Sequence, residues 1–379
     1  MKGQSISAGR YFGIEVMLHY SWFVIFFLVA TSFIARVIPA GFPELTLIET
    51  VIIGLAATVL LFLSVVAHEF AHSLYAKSKG LEIDRITLFI FGGAAEIKED
   101  PKTPGQEFIM AAVGPLTSLV IAFGFGILLA VGISNGLTYL VAVSSILAAI
   151  NFILAIFNLL PGFPMDGGRM LRATIWKLTN NLIKATRIAA GTGKLFAYLL
   201  MTYGLIQFIT AGALGGIWLV LIGLFLNHVA SMSYQQTLIK LLLKDVRVAD
   251  LMNREYVAVP EQTRARDFLR KYVLRYKQTS LPVKTGDGKA AGIINADDVP
   301  ESGLDITVKE LAHDRNYTLG PDDEAMKALE AITRSGLQQL PVAKNGTLVG
   351  TLTIENLNSY INGKAKLSRA GKAPSITAE

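Results

Sequence analysis

Two histidines and a glutamate near the end of a long apolar run have the types and spacing of a metal site. Positions 68–72 read HEFAH, so His68 and His72 are four residues apart. Residues at this spacing lie one above the other on one face of a helix. Their imidazoles can bind one zinc ion while Glu69 acts on a water molecule as general base. The pattern therefore predicts a zinc site with hydrolytic chemistry.

The alternative is that both histidines only reach water at the end of an apolar helix. Glu69 argues against it, because an ionisable side chain in an apolar span is costly and is a candidate functional residue. The chain contains no cysteine, so zinc must be held by His, Asp or Glu.

Asp166 is the predicted third ligand. Residues 158–169 read NLLPGFPMDGGR, in which prolines and glycines interrupt an apolar run and present one aspartate. This run and the run that carries His68 end on the same side of the membrane, so we expect the three side chains at one depth. Asp166 could also be the N-cap of a helix over residues 168–178. The two roles are compatible.

The elements that must position these residues are apolar runs long enough to cross a bilayer. The chain is 52% hydrophobic and only 17% charged, against about a quarter charged in ordinary soluble domains. We therefore predict a polytopic α-helical membrane protein. The six predicted spans are residues 18–35, 50–75, 108–133, 137–160, 195–211 and 215–229.

The distribution of Lys and Arg between the spans predicts the orientation. Thirteen of them lie in the N-terminal arm and after the second and fourth spans, whereas the opposite side has Arg36 alone. Because cytoplasmic loops carry the basic excess, both termini are predicted to face the cytoplasm of a multi-pass cell-membrane protein. The net charge of +6 is then mostly an orientation signal, and no nucleic-acid partner is expected.

The last part of the chain has the composition of a soluble domain and repeats itself. Leu281-Pro282-Val283 is echoed by Leu340-Pro341-Val342, and similar echoes precede and follow them at nearly the same offset. We predict a membrane domain over 1–230, a linker over 231–247, paired α/β repeats over 248–303 and 304–363, and a flexible tail over 364–379. Each repeat should contain a helix, over 263–276 and 323–335.

The membrane part resembles the site-2 protease family of intramembrane zinc metalloproteases. The family pattern N-x-x-P-x-x-P-x-D-G matches residues 158–167, and residues 13–19, 91–95 and 112–118 also resemble family segments. The six-span prokaryotic branch with a CBS tail, which includes the sporulation protease of bacilli, is the most similar. The resemblance implies one Zn²⁺ per chain held by His68, His72 and Asp166, Glu69 as catalytic base, and a transmembrane protein as substrate.

Two further features could contact that substrate. Asn158 of the family pattern would hold the substrate or its oxyanion. Gly92 and Gly93 begin a segment, 92–97, that could pair with an extended substrate as a strand edge; the alternative is a packed hairpin.

The paired repeats resemble tandem CBS domains, which commonly bind an adenine nucleotide such as ATP. The signature Gly-x-x-Thr-x-x-Asp/Asn matches residues 350–356, which assigns Thr353 and Asn356 to the ligand. In the first repeat Asn295 replaces the threonine, and Asp298 could bind ribose hydroxyls. The alternative is a purely structural pair or one that forms a homodimer.

Two other functions fit parts of this pattern. A CBS-regulated metal or ion transporter could use the same four ionisable residues, but no further ionisable residues line the other spans to form a relay. A pseudoprotease that only binds substrate is disfavoured by the intact Glu69. The favoured hypothesis is an intramembrane metalloendopeptidase with a regulatory tail.

Overall fold

Six helices of the computed structural model are long and apolar enough to cross a membrane, as predicted. The structure describes residues 5–90, 92–97, 100–301, 304–312 and 317–369. Most ends of the six long helices lie within a few residues of the predicted runs. The first and the sixth of these helices end later than predicted, and the fifth begins earlier. They are α1 (Tyr20–Gly41), α2 (Leu47–Ser78), α3 (Pro104–Ser134), α4 (Thr138–Asn158), a short α5 (Asp166–Thr179), α6 (Leu182–Ala211) and α7 (Leu214–Leu243).

The long helix α2 carries the HEFAH segment in its last third. It begins after Thr46, whose hydroxyl accepts a hydrogen bond from the Glu49 backbone N–H at 3.4 Å while the Glu49 carboxylate accepts from Thr46 N–H at 2.8 Å. This reciprocal cap satisfies two free amides of the first turn. At 32 residues the helix is about 48 Å long, so its ends extend beyond the hydrocarbon core of about 30 Å.

The N-terminal part of the chain also contains a four-stranded sheet. Its strands are β1 (Ser5–Tyr11), β2 (Ile14–His19), β3 (Ile83–Phe89) and β4 (Gly92–Ile97), paired in the order β1-β2-β3-β4. The β2–β3 pair is parallel and the other two pairs are antiparallel. Since β4 is last in this order, its outer edge has no partner strand among the described residues.

The loop over residues 159–165 leads into α5, whose first residue is Asp166. Gly167 and Gly168 pack on this loop so closely that a Cβ atom would overlap backbone atoms of Leu159 and Gly162. The glycines therefore let the first turn of α5 fold back on the preceding loop. The N-cap residue is Met165, with no side-chain cap hydrogen bond, so the N-cap role considered for Asp166 is not observed.

The C-terminal part contains two structural repeats of similar construction, as the sequence predicts. The first has α8 (Val248–Leu251), β5 (Val259–Pro260), α9 (residues 265–276), β6 (Ser280–Lys284) and β7 (Ala290–Asn295). The second has α10 (Val308–Leu311), α11 (Ala325–Ser335), β8 (Gln339–Lys344), β9 (Thr347–Thr353) and α12 (Ile354–Arg369). The registers correspond, because Val283 pairs with Gly292 and Val342 pairs with Gly350.

The chain divides into two compact units, Met1–Gln235 and Gln236–Glu379. This division falls inside the predicted linker 231–247, which is not irregular: α7 continues to Leu243. Of the predicted tail, residues 364–369 belong to α12, where Lys364 donates to the Leu242 carbonyl at 2.9 Å. Residues 370–379 lie outside the described part. The exact domain boundaries stay a prediction.

Candidate metal centre

Three side chains predicted as ligands converge in the membrane unit. The Nε2 atoms of His68 and His72 are 3.2 Å apart, and each is 3.2 Å from Asp166 Oδ2. Both histidines are 5% exposed, so the triangle is shielded from bulk solvent. Among the described residues, these three form the one group of His, Asp and Glu whose ligand atoms lie close enough to share a metal ion.

The second nitrogen of each imidazole contacts α3. His72 Nδ1 lies 2.5 Å from the Met110 carbonyl oxygen, and His68 Nδ1 lies 2.9 Å from Ser118 Oγ. A carbonyl oxygen can only accept, so Nδ1 of His72 carries the proton and donates it. In a neutral imidazole Nε2 then presents a lone pair to the centre of the triangle.

Lone pairs on three atoms 3.2 Å apart repel one another unless a metal ion or a shared proton lies among them. Ligand atoms at 2.0–2.1 Å from a tetrahedral zinc ion lie about 3.3 Å from each other, close to the spacing observed. Two imidazoles and one carboxylate also leave a fourth position for water or substrate, as in catalytic zinc sites. The donor set therefore fits zinc with an open position.

Gly114 of α3 lies against the same triangle. A Cβ atom there would overlap His72 Nε2 and lie only 2.7 Å from His68 Nε2. Any side chain would therefore enter the space of the ligand atoms. The family resemblance of segment 112–118 does not predict that Gly114 or Ser118 contacts the site. The available signal was their spacing: four residues apart, they share one face of a helix.

A buried ion pair joins α3 to the helix that carries Asp166. Arg172 of α5 donates from Nε to Glu107 of α3 at 2.5 Å, and the Glu107 side chain is 1% exposed. The Arg172 guanidinium also lies over the Phe163 ring, 5.2 Å from its centroid. Breaking such a buried pair on one side leaves an uncompensated charge, so the pair restrains α5 and its preceding loop.

Glu69 lies between the ligands and the sheet. It follows His68 on α2, and the backbone of Gly93 in β4 packs on its carboxylate: a Cβ at Gly93 would lie 2.9 Å from Cδ and 3.1 Å from Oε1. The edge strand predicted at Gly92–Ile97 is therefore next to the predicted base. Asn158 ends α4 and donates to the Leu154 carbonyl at 3.0 Å, so its contact with a substrate stays a prediction.

The predicted nucleotide residues are largely engaged within their own unit. Thr353 and Asn356 cap α12: Thr353 Oγ1 accepts from Asn356 N–H, and Asn356 Oδ1 accepts from Thr353 N–H, both at 3.1 Å. Asp298 accepts from Asn295 N–H at 3.0 Å in an equivalent cap. Their role as ligand contacts stays a prediction.

A cavity of about 300 Å³ lies between the repeats. Thr353 lines it, whereas Asn356 and Asp298 do not belong to its lining. Its described lining combines amides, hydroxyls and one carboxylate with no cation: Asn253, Glu255, Tyr256, Val257, Gln278, Gln339, Thr351 and Thr353.

Family models match both parts of the chain. The model described as peptidase family M50 matches residues 56–140 and 132–202, which include HEFAH and Asp166. The CBS domain model matches residues 248–301 and 308–363. The two matched CBS segments coincide with the two structural repeats.

Three similar proteins extend these matches. Rip3 of Mycobacterium tuberculosis is 34% identical over 76% of this chain and 74% of its own length. The protein sll0528 of Synechocystis is 33% identical over 92% of this chain and 93% of its own. Both are provisionally named as zinc metalloproteases. The solved site-2 protease from Methanocaldococcus jannaschii is 32% identical, covers 61% of this chain and 95% of its own, and superposes with a TM-score of 0.43.

Proposed function

Since the chain belongs to peptidase family M50, the site-2 protease family of zinc metalloproteases, we propose that it is an intramembrane endopeptidase that cleaves membrane proteins in or near a transmembrane segment. The observation that carries the proposal is the triangle of three donor atoms, 3.2 Å apart, in His68, His72 and Asp166. The triangle lies beside Glu69, and Glu69 and both histidines belong to a helix long enough to cross a bilayer.

His68, His72 and Asp166 would hold one zinc ion per chain. The ion would supply a Lewis acid that makes water a better nucleophile near neutral pH and polarises a carbonyl oxygen. Glu69 takes the proton from the attacking water and returns it to the leaving amine. The low exposure of the two histidines limits other access of water to the reacting carbonyl.

The outer edge of β4 would bind the substrate. Peptide carbonyls of a transmembrane helix are occupied by the helix's own amides, so the helix must unwind before its carbonyl can react. An unwound segment can add to β4 as a further strand, which satisfies its backbone groups. Because Gly93 packs on Glu69, this edge brings the substrate backbone next to the base.

The charge distribution supports an orientation with both termini in the cytoplasm of a cell-membrane protein. Lys77 lies in the last turn of α2 and Lys79 caps it, whereas Arg36 is the one basic residue predicted outside. Under this orientation the metal centre lies toward the cytoplasmic side, because α2 ends there.

Replacing Glu69 with Gln tests the proposal. The amide cannot accept a proton, so cleavage of a co-expressed single-span substrate should fall about 10²- to 10⁴-fold while zinc content, measured by mass spectrometry, stays at one per chain. Glu44→Gln, in an exposed loop outside the site, is the matched control. Cleavage by Glu69→Gln at the rate of the parent chain would contradict the proposal and favour a transporter.

We further propose that the CBS pair binds an adenine nucleotide in the cavity between its repeats. Amide and hydroxyl groups of Gln339 and Thr351 suit the base and ribose, whereas the described lining has no cation for phosphates. Adenosine and AMP should therefore bind the full-length protein at least as tightly as ATP in isothermal titration calorimetry. No heat with any of the three ligands would leave the structural, dimerising role as the better account.

A further inference from the structure

The turn between β1 and β2 exposes two aromatic side chains. Phe12 is 72% exposed and Tyr11 is 54% exposed. Phe12 and Gly13 form a two-residue turn with φ values of +53° and +78°. Glycine and asparagine adopt this left-handed conformation readily, but it is a strained one for a bulky aromatic residue. Folding of the hairpin therefore explains neither the exposure nor the choice of Phe12.

This turn packs against the last three turns of α2. Lys77 Nζ donates to the Phe12 carbonyl oxygen at 2.7 Å, and the ring of Phe12 meets Phe70 edge-on with centroids 5.9 Å apart. Phe12 is thus held at a level between the apolar body of α2 and its final basic residue.

For an α2 centred in the bilayer, that level corresponds to the membrane interface. Helix α2 exceeds the hydrocarbon core by about 18 Å, which leaves its terminal turns among the headgroups. Tyr and Trp side chains concentrate in this zone, where their rings meet the acyl chains and their polar atoms reach water. Phe rings enter the same zone from the apolar faces of interfacial helices. Lys77 contacts the turn and Arg10 lies two residues before Phe12, so both cations can attract anionic headgroups.

We propose that the β1–β2 turn is a lipid-binding tip, in which Phe12 and Tyr11 insert into the interfacial zone of the leaflet that faces the metal centre. The strained Phe12 is retained because its ring gains more from lipid than the turn loses. The tip would anchor the sheet that ends in β4 at the depth of Glu69.

A spin label tests the depth of the tip. Because the chain has no cysteine, Tyr11→Cys creates a unique labelling site. In liposomes of phosphatidylcholine and phosphatidylglycerol, the label should collide more with oxygen than with a water-soluble nickel complex. Asp287→Cys, at the charged β6–β7 turn with its side chain about half exposed, is the control and should show the opposite preference. Equal, water-like accessibility at both positions would overturn the proposal.

A second variant separates insertion from mere proximity. Phe12→Asn suits the left-handed turn, so the hairpin is kept while the anchoring ring is lost. The label at position 11 should then become several-fold more accessible to the nickel complex. An unchanged depth in Phe12→Asn would show that Phe12 does not anchor the tip and would overturn the proposal. Neither measurement depends on proteolysis.

A different observation assigns a positioning role to Ser118. Its side chain is fully buried in α3, and its Oγ is 2.9 Å from Nδ1 of His68, the nitrogen that faces away from the metal position. A partner on that nitrogen fixes both the ring orientation and the tautomer of a ligating histidine. His72 has the Met110 carbonyl in the same role, which no side-chain substitution removes.

We infer that Ser118 orients His68 for zinc; this inference rests on the proposed zinc site. Ser118→Ala should weaken zinc binding about 10- to 100-fold in competition with a chelator. Thr117→Ala is the control, because Thr117 bonds only to the Val113 carbonyl of its own helix. Both are made in the Glu69→Gln background, where zinc is bound without turnover.

The outcomes distinguish this inference from the proposed function. Weakened zinc binding in Ser118→Ala alone, with the absorption bands of a cobalt-substituted centre shifted, supports it. If both variants bind zinc as the parent does, Ser118 is not a positioning residue, although the zinc site stands. If the parent itself binds no zinc, the proposed function fails first. Thermal unfolding of the metal-free variants checks that the helices are intact.

Discussion

The metal centre and the paired CBS repeats each contain motif residues, yet their polar atoms are used differently. In the centre, His68 and His72 turn one nitrogen toward α3 and leave the other directed at Asp166. In the repeats, the side chains of Thr353 and Asn356 each accept a hydrogen bond from the other residue's backbone N–H at the start of α12.

A motif alone does not show whether its polar atoms are available to a ligand. A motif residue can bind a ligand when local structure leaves its donor or acceptor atom free. Asparagine, aspartate and threonine compete for this with backbone groups, since they cap helices readily. Histidines inside an apolar helix have no such local partner, so their convergence points to a ligand.

Substitution of Gly114 is expected to have the largest effect on zinc binding and cleavage. Gly114→Ala puts a methyl group into the space of both Nε2 atoms, so the chain should lose bound zinc and about 10³-fold or more of its cleavage activity. Gly124→Ala lies in the same helix with no atom near its Cβ and should behave as the parent does. Stoichiometric zinc in purified Gly114→Ala would contradict the geometry of the centre.

An intermediate effect is expected at Gly93. Gly93→Ala would push on the Glu69 carboxylate without touching the three ligands, so kcat should fall about 10- to 100-fold at unchanged zinc content. Gly105→Ala, which has open space around its Cβ, is the matched control. If zinc is lost together with activity, the strand supports the ligands rather than the base.

The smallest effect is expected in the repeats. Thr353→Ala removes the cap of α12 and should lower the local free energy of opening by about 1 kcal/mol, seen as faster hydrogen exchange in α12 of the full-length protein. Thr333→Ala, which loses only a bond within α11, should change exchange little. Cleavage without nucleotide should be equal in both. Unchanged exchange in Thr353→Ala would remove the basis of the contrast.

Much of the fold could be predicted because its signals are local. Long apolar runs predict spans, the offset between Leu281 and Leu340 predicts the repeat, and the spacing of His68 and His72 predicts a shared helical face. The extent of α7 was missed because residues 231–237 read SMSYQQT, a polar run that ended the predicted apolar span early. The exposed turn at Phe12 was missed because one aromatic residue carries no periodicity.

The helices, the repeat and the types of the candidate ligands follow from the amino-acid sequence, since they depend on residue chemistry and on spacing along one element. The packing of separate elements places Ser118, Met110 and Gly114 of α3 against the two histidines and Gly93 against Glu69. These contacts join residues 24 to 50 positions apart in the chain. Their geometry depends on how separate helices and strands pack, which spacing along one element does not encode.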